Sequence, residues 1–361
     1  MATRVNWLRF RVSAQRPRGA ERVAQRTIRR PSSVCFVLAF GLAALQAVAV
    51  AQDLPVGNSG VASRYPGDVG IASDPAVIFA DDFESYSALS GLTSAGRWNN
   101  LYQVSNTRIA TGPGNVFGGT KALEFTLPKT NGEVANELTK VLSPGQDTVF
   151  VRFYAKFDSG YNVEGSSHNG VTIQASYWDG PGSGPGVRAD GYNKFLVNFE
   201  AYRQSSSVAN PGSLVGYVYH PEQRDIWGDI FYPTGRVLPF DRTPGNFGPN
   251  FVSRPEVIPQ LGRWYSYEVM VKANTPGQRD GRIAFWLDGA LIADFPNLRL
   301  RDTVSLTIDR VGLLLHGNGG ILATSRKWYD NVVISKSYIG PMSSGSSSTT
   351  LAPPTNLRVV Q

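Results

Sequence analysis

The sequence predicts an all-β protein in which two antiparallel sheets pack as a sandwich. Apolar and polar residues alternate in most segments beyond residue 76, as Phe195, Val197 and Phe199 show. This period of two is typical of strands with one buried face. Turns rich in glycine and proline separate these segments, and no amphipathic helix of useful length is evident. A single large sandwich is therefore expected over residues 77–341.

The chain begins with the pattern of an export signal. Residues 32–51 are apolar, too few for a comfortable membrane span, and end in small residues before Gln52. The residues before this apolar segment are unusually rich in arginine, which has two explanations. Either translation starts downstream of Met1, or Arg29 and Arg30 belong to a twin-arginine signal. Residues 1–51 are predicted to be a signal peptide, and the protein is expected to be secreted or periplasmic in a bacterium.

Charge and cysteine content argue against several functions. The formal charge of +7 comes from the predicted signal peptide, where nine arginines accompany one acidic residue, Glu21, so residues 52–361 are close to −1. No basic field remains to favour nucleic acid, and no membrane partner is expected after signal cleavage. The single cysteine, Cys35, lies in the same segment, so the exported chain is expected to lack disulfides and thiol chemistry.

Three segments follow the signal. Residues 52–76 are rich in Gly, Ser and Pro without periodicity and are expected to form a flexible leader. Residues 77–341 form the sandwich. Residues 342–361 join a Ser/Thr/Pro linker to TNLRVVQ, which resembles the start of a truncated fibronectin type III module and is expected to be disordered. Strands are predicted from residue 77 and at 121–127, 133–142, 147–157, 170–178, 194–202, 213–220, 263–272, 282–287, 290–295, 309–316 and 327–335.

Residues 262–295 are the most informative stretch. Tyr265, Tyr267 and Val269 alternate with polar residues, and the Asp-Gly pair at 288–289 supplies a tight hairpin. This run, GRWYSYEVMVKANTPGQRDGRIAFWLDG, and the closing strand KWYDNVVISKSYIGP resemble bacterial polysaccharide lyases of the alginate-lyase and heparin-lyase type. The resemblance implies a concanavalin A-like jelly roll. For function it implies cleavage of an acidic, uronic-acid-containing polysaccharide by β-elimination.

Alternation also sorts polar side chains onto the face opposite the core in three of the predicted strands. Aromatic rings bind sugar faces, while amides and charges bind hydroxyls and carboxylates. This face therefore predicts a glycan groove, with a plain solvated sheet face as the alternative. Its residues are Arg152, Tyr154, Lys156, Thr172, Gln174, Ser176, Trp178, Lys194, Asn198, Glu200 and Tyr202.

β-Elimination from a uronate needs a group that neutralises the carboxylate, a base for the C5 proton and an acid for the leaving O4. His168 lies in the turn-like segment SSHNG, where a histidine has little structural reason to be. For each tyrosine, a place in the core explains the pattern equally well, and His316 is expected to be structural. The candidate catalytic residues are His168, Tyr219, Tyr202 and Lys194. The candidate substrate-binding residues are Arg152, Tyr154, Gln174, Trp178, Arg188, Asn198, Glu200, Tyr217 and His220.

The resemblance is incomplete, which leaves other functions open. The arginines and the histidine that alginate lyases of this fold carry on their motif strands are absent from the nearest stretches, 136–140, 172–175 and 192–195. A non-catalytic, lectin-like carbohydrate-binding module is the main alternative. A glycoside hydrolase is the second, although its paired carboxylates in a Glu-x-Asp-x-x-Glu pattern are missing.

The sequence gives three expectations about cofactors and assembly. Asp81, Asp82, Glu84 and Asp330 stand near the first and last strands, where sandwiches of this class often hold a structural calcium ion. The alternative is that these carboxylates cap turns and pair with cations. No organic cofactor is expected, and the chain is expected to be a monomer.

Overall fold

The structure is a computed structural model that describes residues 53–180, 182–238, 247–343 and 358–359. The predicted signal peptide lies outside these residues. The strands are β1 (Val77–Asp81), β2 (Asn100–Tyr102), β3 (Thr107–Ala110), β4 (Ala122–Leu127), β5 (Glu133–Gln146), β6 (Thr148–Phe157), β7 (Ser167–His168), β8 (Val171–Ala175), β9 (Phe195–Tyr202), β10 (Ser213–Tyr219), β11 (Asp229–Phe231), β12 (Val237–Leu238), β13 (Val257–Ile258), β14 (Tyr265–Lys272), β15 (Gly281–Leu287), β16 (Ala290–Leu298), β17 (Ile308–Asn318), β18 (Ser325–Ser335) and β19 (Arg358–Val359).

Within the described residues, helical structure is confined to short turns. They are one α-helix, α1 (Ser90–Thr93), and the 3₁₀ helices Val61–Arg64, Pro66–Asp68, Ile71–Ser73, Ser94–Gly96 and Val104–Asn106. No helix among the described residues is long and apolar enough to cross a membrane. The prediction of an all-β chain without useful helices is therefore confirmed.

Two large antiparallel sheets form the sandwich. The outer sheet has the order β16-β15-β14-β6-β18-β4-β3, with β1 also paired to β18. The groove sheet has the order β12-β11-β10-β9-β8-β17-β5-β2, with β7 also paired to β17. Strands distant in sequence lie side by side, as β8 and β17 do, which is typical of a jelly roll. The predicted jelly-roll sandwich of two antiparallel sheets is confirmed.

Aromatic stacking joins the two sheets in the core. The Phe199 ring, from the groove sheet, stacks on Phe285 of the outer sheet with centroids 4.2 Å apart. It also meets Tyr267 edge to face at 5.9 Å, and Tyr267 stacks on Phe153 at 5.3 Å. All four side chains are buried. Burial of such rings stabilises each by about 2–3 kcal/mol, so the groove sheet rests on a rigid layer.

Arg152 and Tyr154 are not groove residues, contrary to the sequence-based prediction. Strand β6 belongs to the outer sheet, so its polar face points away from the groove. Arg152 is fully buried, pairs with Asp68 and donates to the carbonyl of Asn331 at 3.1 Å. Tyr154 stacks on Phe117 at 3.7 Å. Alternation identified the correct face of the strand, but it carries no information about which sheet the strand joins.

The segment before β1 covers the outer sheet and is not a free leader. Val61 and Ile71 are buried in one cluster with Trp286 of β15. The Trp286 Nε1 donates to the carbonyl of Pro55 at 2.8 Å, and the Val61 amide donates to the carbonyl of Tyr338 at 3.0 Å. The segment lacks periodicity because it caps a sheet face instead of adding a strand.

The end of the chain also differs from expectation at residues 342–343 and 358–359: the Met342 amide donates to the Tyr154 hydroxyl, and the Ser343 hydroxyl donates to the carbonyl of Ala62. Strand β19 pairs with β13 through the register Val257 with Val359 and Ile258 with Arg358. Disorder was expected throughout residues 342–361, but these backbone pairs place part of TNLRVVQ against the sandwich. Residues 344–357, which include most of the predicted linker, and residues 360–361 lie outside the described part of the chain.

The buried pair between Arg152 and Asp68 predicts a large stability effect. Arg152→Ala leaves the Asp68 carboxylate, 7% exposed, without its cation, and we expect a loss of about 3–5 kcal/mol in the free energy of unfolding. Lys272→Ala is the control, because Lys272 and Asp280 are 46% and 42% exposed and its loss should stay below about 1 kcal/mol. Urea unfolding followed by tryptophan fluorescence measures both, and equal losses would contradict the prediction.

Candidate active site

A groove of about 1200 Å³ lies on the face of the groove sheet that points away from the core. Strand register builds its floor. Tyr217, Asn198 and Thr172 are successive partners across β10, β9 and β8, and the row continues through Gly312 of β17 to Thr139 of β5. A Cβ atom on Gly312 would lie 2.8 Å from Oε1 of Glu137, so glycine keeps this part of the floor low.

A break between β7 and β8 places His168 in the groove. The Asn169 side chain bridges the break: its Nδ2 donates to the carbonyl of Ala201 at 2.8 Å, and its Oδ1 accepts the Ala201 amide at 2.9 Å. Gly170 passes so close to β9 that a Cβ atom there would lie 1.8 Å from the carbonyl oxygen of Phe199. Only glycine fits at this position. His168 then pairs directly with His316 of β17.

Buried polar side chains of the outer sheet support this break from below. The Lys327 Nζ donates to the carbonyl of Asn169, and the Tyr329 hydroxyl donates to the carbonyl of Leu314 and lies 3.3 Å from that of Gly170. Lys327 is buried among aromatic rings, and burial lowers its pKa well below the usual range. Its hydrogen bond satisfies a carbonyl that would otherwise be buried without a partner.

His168 and Glu200 form the central polar pair of the groove. The His168 Nδ1 lies 3.0 Å from Oε2 and 3.2 Å from Oε1 of Glu200. A carboxylate can only accept, so Nδ1 carries the proton and Nε2 is left as the basic nitrogen. Burial alone would lower the pKa of His168, but attraction to Glu200, the hydrogen bond with Glu200 and attraction to Glu137 outweigh it and raise the pKa above 6.5.

His316 is a groove residue that the sequence analysis assigned to structure. Its ring stacks on that of His168 at 5.4 Å, and its Nε2 lies 3.2 Å from Oε1 of Glu133. Burial and repulsion from His168 lower its pKa to about 4, partly opposed by Glu133. Leu313 and Leu315 are buried in the core, so strict alternation along β17 would have identified His316. The run LLLH hid that pattern.

A tyrosine cluster adjoins the histidine. The Tyr217 ring lies 4.8 Å from the His168 ring, and its hydroxyl accepts the Gly228 amide at 3.1 Å and donates to the Tyr219 hydroxyl at 3.4 Å. Tyr219 is fully buried, whereas Tyr217 is partly exposed. Burial raises the pKa of Tyr217 far above its ordinary value. Tyr217 is therefore the protonated hydroxyl that a bound substrate can reach.

Lys194 lies behind this cluster. Its Nζ is 4.3 Å from the ring centroid of Tyr219 and 4.7 Å from that of Tyr177, and it donates to the carbonyl of Gly184. Burial lowers its pKa to about 8. The amine thus contacts tyrosine faces, and those rings stand between it and the groove.

Amides and tryptophans complete the lining. The Gln174 Nε2 donates to Thr172 Oγ1 at 3.2 Å, and within the described residues neither Gln174 Oε1 nor Asn198 Oδ1 has a hydrogen-bond partner. Trp178 and Trp227 border the groove and are 53% and 50% exposed. Unpaired amide oxygens beside exposed rings are suited to binding sugar hydroxyls and sugar faces.

The fold is that of solved alginate lyases. The alginate lyase Aly36B, solved as a lysine and tyrosine double mutant with an alginate tetrasaccharide, is 18% identical, with a TM-score of 0.51 over 73% of this chain and 98% of that chain. The alginate lyase vAL-1 from Chlorella virus is 14% identical, with a TM-score of 0.48 over 72% and 99%. An endo-β-1,4-glucuronan lyase from Trichoderma reesei is 17% identical, with a TM-score of 0.45 over 72% and 95%. No protein-family model and no curated protein matches the sequence.

Most predicted site residues line the groove, but several do not. Lining residues from the prediction are His168, Gln174, Trp178, Asn198, Glu200, Tyr202, Tyr217 and Tyr219. Arg188 instead donates to the carbonyl of Pro221 at 3.3 Å, outside the lining. His220 is buried, with Nε2 3.0 Å from Asp229, because it alternates with Tyr219 onto the core side. Besides His316, the prediction missed Glu137, Arg310 and Trp227.

The carboxylates considered for calcium are engaged within the fold. Asp330 accepts the amides of Phe117, Gly118 and Asn331 at 2.8–3.1 Å. Asp81 and Glu84 accept other turn amides. Throughout the described residues, no group of three or more His, Cys, Asp or Glu side chains could hold a metal ion. These contacts agree with the turn-capping alternative, and a structural calcium ion stays a prediction.

The histidine pair predicts two separate titrations. His168 should titrate above 6.5 and His316 near 4. In Glu200→Gln we expect the pKa of His168 to fall, because the carboxylate that favours the protonated ring is gone. NMR of the ring protons against pH measures this, with the three histidines assigned by substitution. Glu133→Gln is the control, which should lower the pKa of His316. If the pKa of His168 is the same in Glu200→Gln as in the unaltered protein, the contact between His168 and Glu200 is contradicted.

The same shifts set the pH dependence of stability. Because the folded pKa of His168 is raised, its contribution to stability is complete below 6.5 and is lost as pH rises through the folded pKa. Because the folded pKa of His316 is lowered, protonation of the unfolded chain removes stability as pH falls from 6.5 towards 4.

Proposed function

We propose that this protein is a secreted polysaccharide lyase that cleaves a uronic-acid-containing polysaccharide by β-elimination. One observation carries the proposal: the His168 ring, held at Nδ1 by Glu200, lies 4.8 Å from the Tyr217 ring in a groove lined by amides and aromatic rings. A base and an acid thus act on the same stretch of bound sugar. The jelly-roll fold shared with alginate lyases supports it.

The reaction follows from these two groups. Nε2 of His168 removes the proton from C5 of the uronate, and the C–H electron pair forms the C4–C5 double bond. The C4–O4 bond breaks at the same time. The Tyr217 hydroxyl, which turns its proton from Tyr219 to the bound sugar, gives that proton to O4. Tyr217 is recharged by proton exchange with water, and His168 loses its proton to water once the product leaves.

Asn198 and Gln174 are proposed to bind the uronate carboxylate. The His168 Nδ1 donates to Glu200, so it cannot also accept a hydrogen bond from the Asn198 amide 3.3 Å away. The Asn198 N–H groups are therefore available to a substrate oxygen, beside those of Gln174. Donors at the carboxylate stabilise the charge that develops as C5 loses its proton.

The other predicted catalytic residues have supporting roles in this scheme. Tyr219 accepts a hydrogen bond from Tyr217 and is fully buried, so it orients the acid without touching the sugar. Lys194 packs against Tyr219 and fixes that ring. Tyr202 lines the groove and is proposed to bind a neighbouring sugar.

Export and assembly belong to the proposal as well. The apolar segment before Gln52 supports secretion or a periplasmic location, where extracellular polymers are accessible. We propose a monomer that needs no organic cofactor, with at most a structural calcium ion.

The lyase assay tests the proposal directly. We expect the protein to release unsaturated uronate, seen as rising ultraviolet absorbance, and both His168→Ala and Tyr217→Phe to lower kcat by about 10²–10⁴-fold. Tyr192→Phe is the control, because Tyr192 is 66% exposed and outside the groove lining. Activity that survives both groove substitutions would overturn the assignment of base and acid.

A non-catalytic carbohydrate-binding module is the second candidate. The exposed Trp178 and Trp227 favour it, since rings at a groove edge bind sugar faces whether or not a bond is cleaved. A flat absorbance trace on every polymer, with binding retained, would support this function instead.

Trp227 gives a further prediction under the lyase proposal. In Trp227→Ala we expect KM to rise about fivefold with kcat nearly unchanged, because sugar stacking there stabilises bound substrate and transition state alike. Tyr192→Ala, which removes another exposed ring, should change neither constant. A fall in kcat alone would contradict a purely binding role for Trp227.

A further inference from the structure

The charges of the groove do not suit a densely charged polyanion. Among the described residues that line it, the carboxylates are Glu133, Glu137 and Glu200, and the only guanidinium or ammonium is that of Arg310. Glu200 is in contact with His168, and the lowered pKa of His316 leaves that ring neutral near pH 7. The lining therefore repels a chain with a carboxylate on every sugar.

Arg310 marks the place for an isolated carboxylate. It is the register partner of Gln174, and the same row continues through Leu196 to Tyr219, three strands from Arg310. Its Nη2 is 3.6 Å from Oδ1 of Asp179, a long contact with a half-exposed carboxylate. Arg310 thus keeps donors for a substrate, and the amide of Gln174 adds to them.

The remainder of the groove suits neutral sugars. Tyr102, at the β2 side, is 54% exposed, and Trp178 and Trp227 are also half-exposed. Glu133, 64% exposed, and Glu137 lie on β5 between Tyr102 and the histidine pair. Carboxylates at these positions accept hydrogen bonds from sugar hydroxyls and repel other carboxylates.

We propose that the substrate is a heteropolysaccharide whose uronates are separated by neutral sugars. This inference rests on the proposed lyase function and specifies its substrate class. In such a polymer one uronate occupies the site formed by His168, Tyr217 and Asn198, with its carboxylate towards Gln174 and Arg310. Neutral sugars contact the tryptophans and Glu133.

A single polymer series tests the inference with the full protein. Glucuronan carries a carboxylate on every sugar, and reducing a rising fraction of these to alcohols spaces the remaining uronates without changing the linkage. We expect kcat/KM per remaining uronate to rise at least about fivefold at intermediate reduction. Gellan, whose 4-linked glucuronates are separated by neutral sugars, should be cleaved faster than glucuronan. A steady fall of kcat/KM with reduction would overturn the inference and leave the lyase proposal standing.

The dependence of KM for unmodified glucuronan on salt concentration tests the inference independently. If the groove repels the polymer, salt screens that repulsion, and KM should fall between about 0.01 M and 0.15 M ionic strength. A KM that rises with salt would indicate a basic groove and contradict the inference.

Charge reversal at the groove should relax the preference. Glu133→Lys should lower KM for unmodified glucuronan about fivefold and change KM for gellan less. Asp53→Lys makes the same change of net charge at an exposed residue outside the groove lining, and it should leave both constants unchanged. Equal effects of the two variants would show that net charge, not the groove, sets the preference.

Failure of the lyase proposal is distinguishable from failure of this inference. If no polymer yields unsaturated product, the lyase proposal is wrong, and retention on affinity gels then decides the substrate class. Stronger retention by gellan or partly reduced glucuronan than by glucuronan would support spaced uronates. Equal or weaker retention, or none, would overturn it.

Discussion

The close contact of Gly170 with β9 is the constraint on which the proposed site depends. Gly170 lies in the break between β7 and β8 and has no room for a Cβ atom beside the carbonyl of Phe199. The side-chain amide of Asn169 replaces the missing strand pairing through its hydrogen bonds to the backbone of Ala201. His168 is thereby held opposite His316 and within reach of Glu200. A side chain that must act on one carbon atom needs this degree of fixation.

The two sheets have different roles in this arrangement. The groove sheet presents the groups proposed to react, and the outer sheet supplies the buried donors Lys327 and Tyr329 that satisfy the carbonyls beneath them. The outer face is closed in turn by the segment before β1, through its apolar residues and the pair between Asp68 and Arg152. Hydrogen bonds and the ion pair offset the cost of burying these polar groups. The site thus rests on two layers of packed structure.

Contacts between neighbouring ionisable side chains set the pKa values of the two groove histidines. Glu200 favours the protonated form of His168, while repulsion from that ring and burial keep His316 neutral. The pKa values of the two stacked imidazoles are consequently shifted in opposite directions, although the rings face the same groove. Glu137 adds to the attraction at His168, and burial raises the pKa of Glu137 itself. The charge of the groove lining is far from the dense positive charge that would favour a polyuronate. The substrate therefore has to be inferred from the groove side chains, because the fold alone does not specify it.

Much of the architecture could be read from the sequence, because alternation reports which side of a strand is apolar and the Gly/Pro turns report where strands end. For β8 and β9 the predicted groove face is the one observed, with Gln174, Asn198 and Glu200 on it. For β6 the same rule assigned Arg152 and Tyr154 to the groove, although the strand lies in the outer sheet.

The sheet that a strand joins depends on pairing between strands far apart in the chain. The alternation of apolar and polar residues along one strand carries no information about that pairing. The same holds for His316, which meets His168 only because β17 lies beside β7. By itself the sequence determined the class of fold, the faces of its strands and the types of side chain available for chemistry. The tertiary structure alone decided which of them share a groove, because long-range register sets those distances.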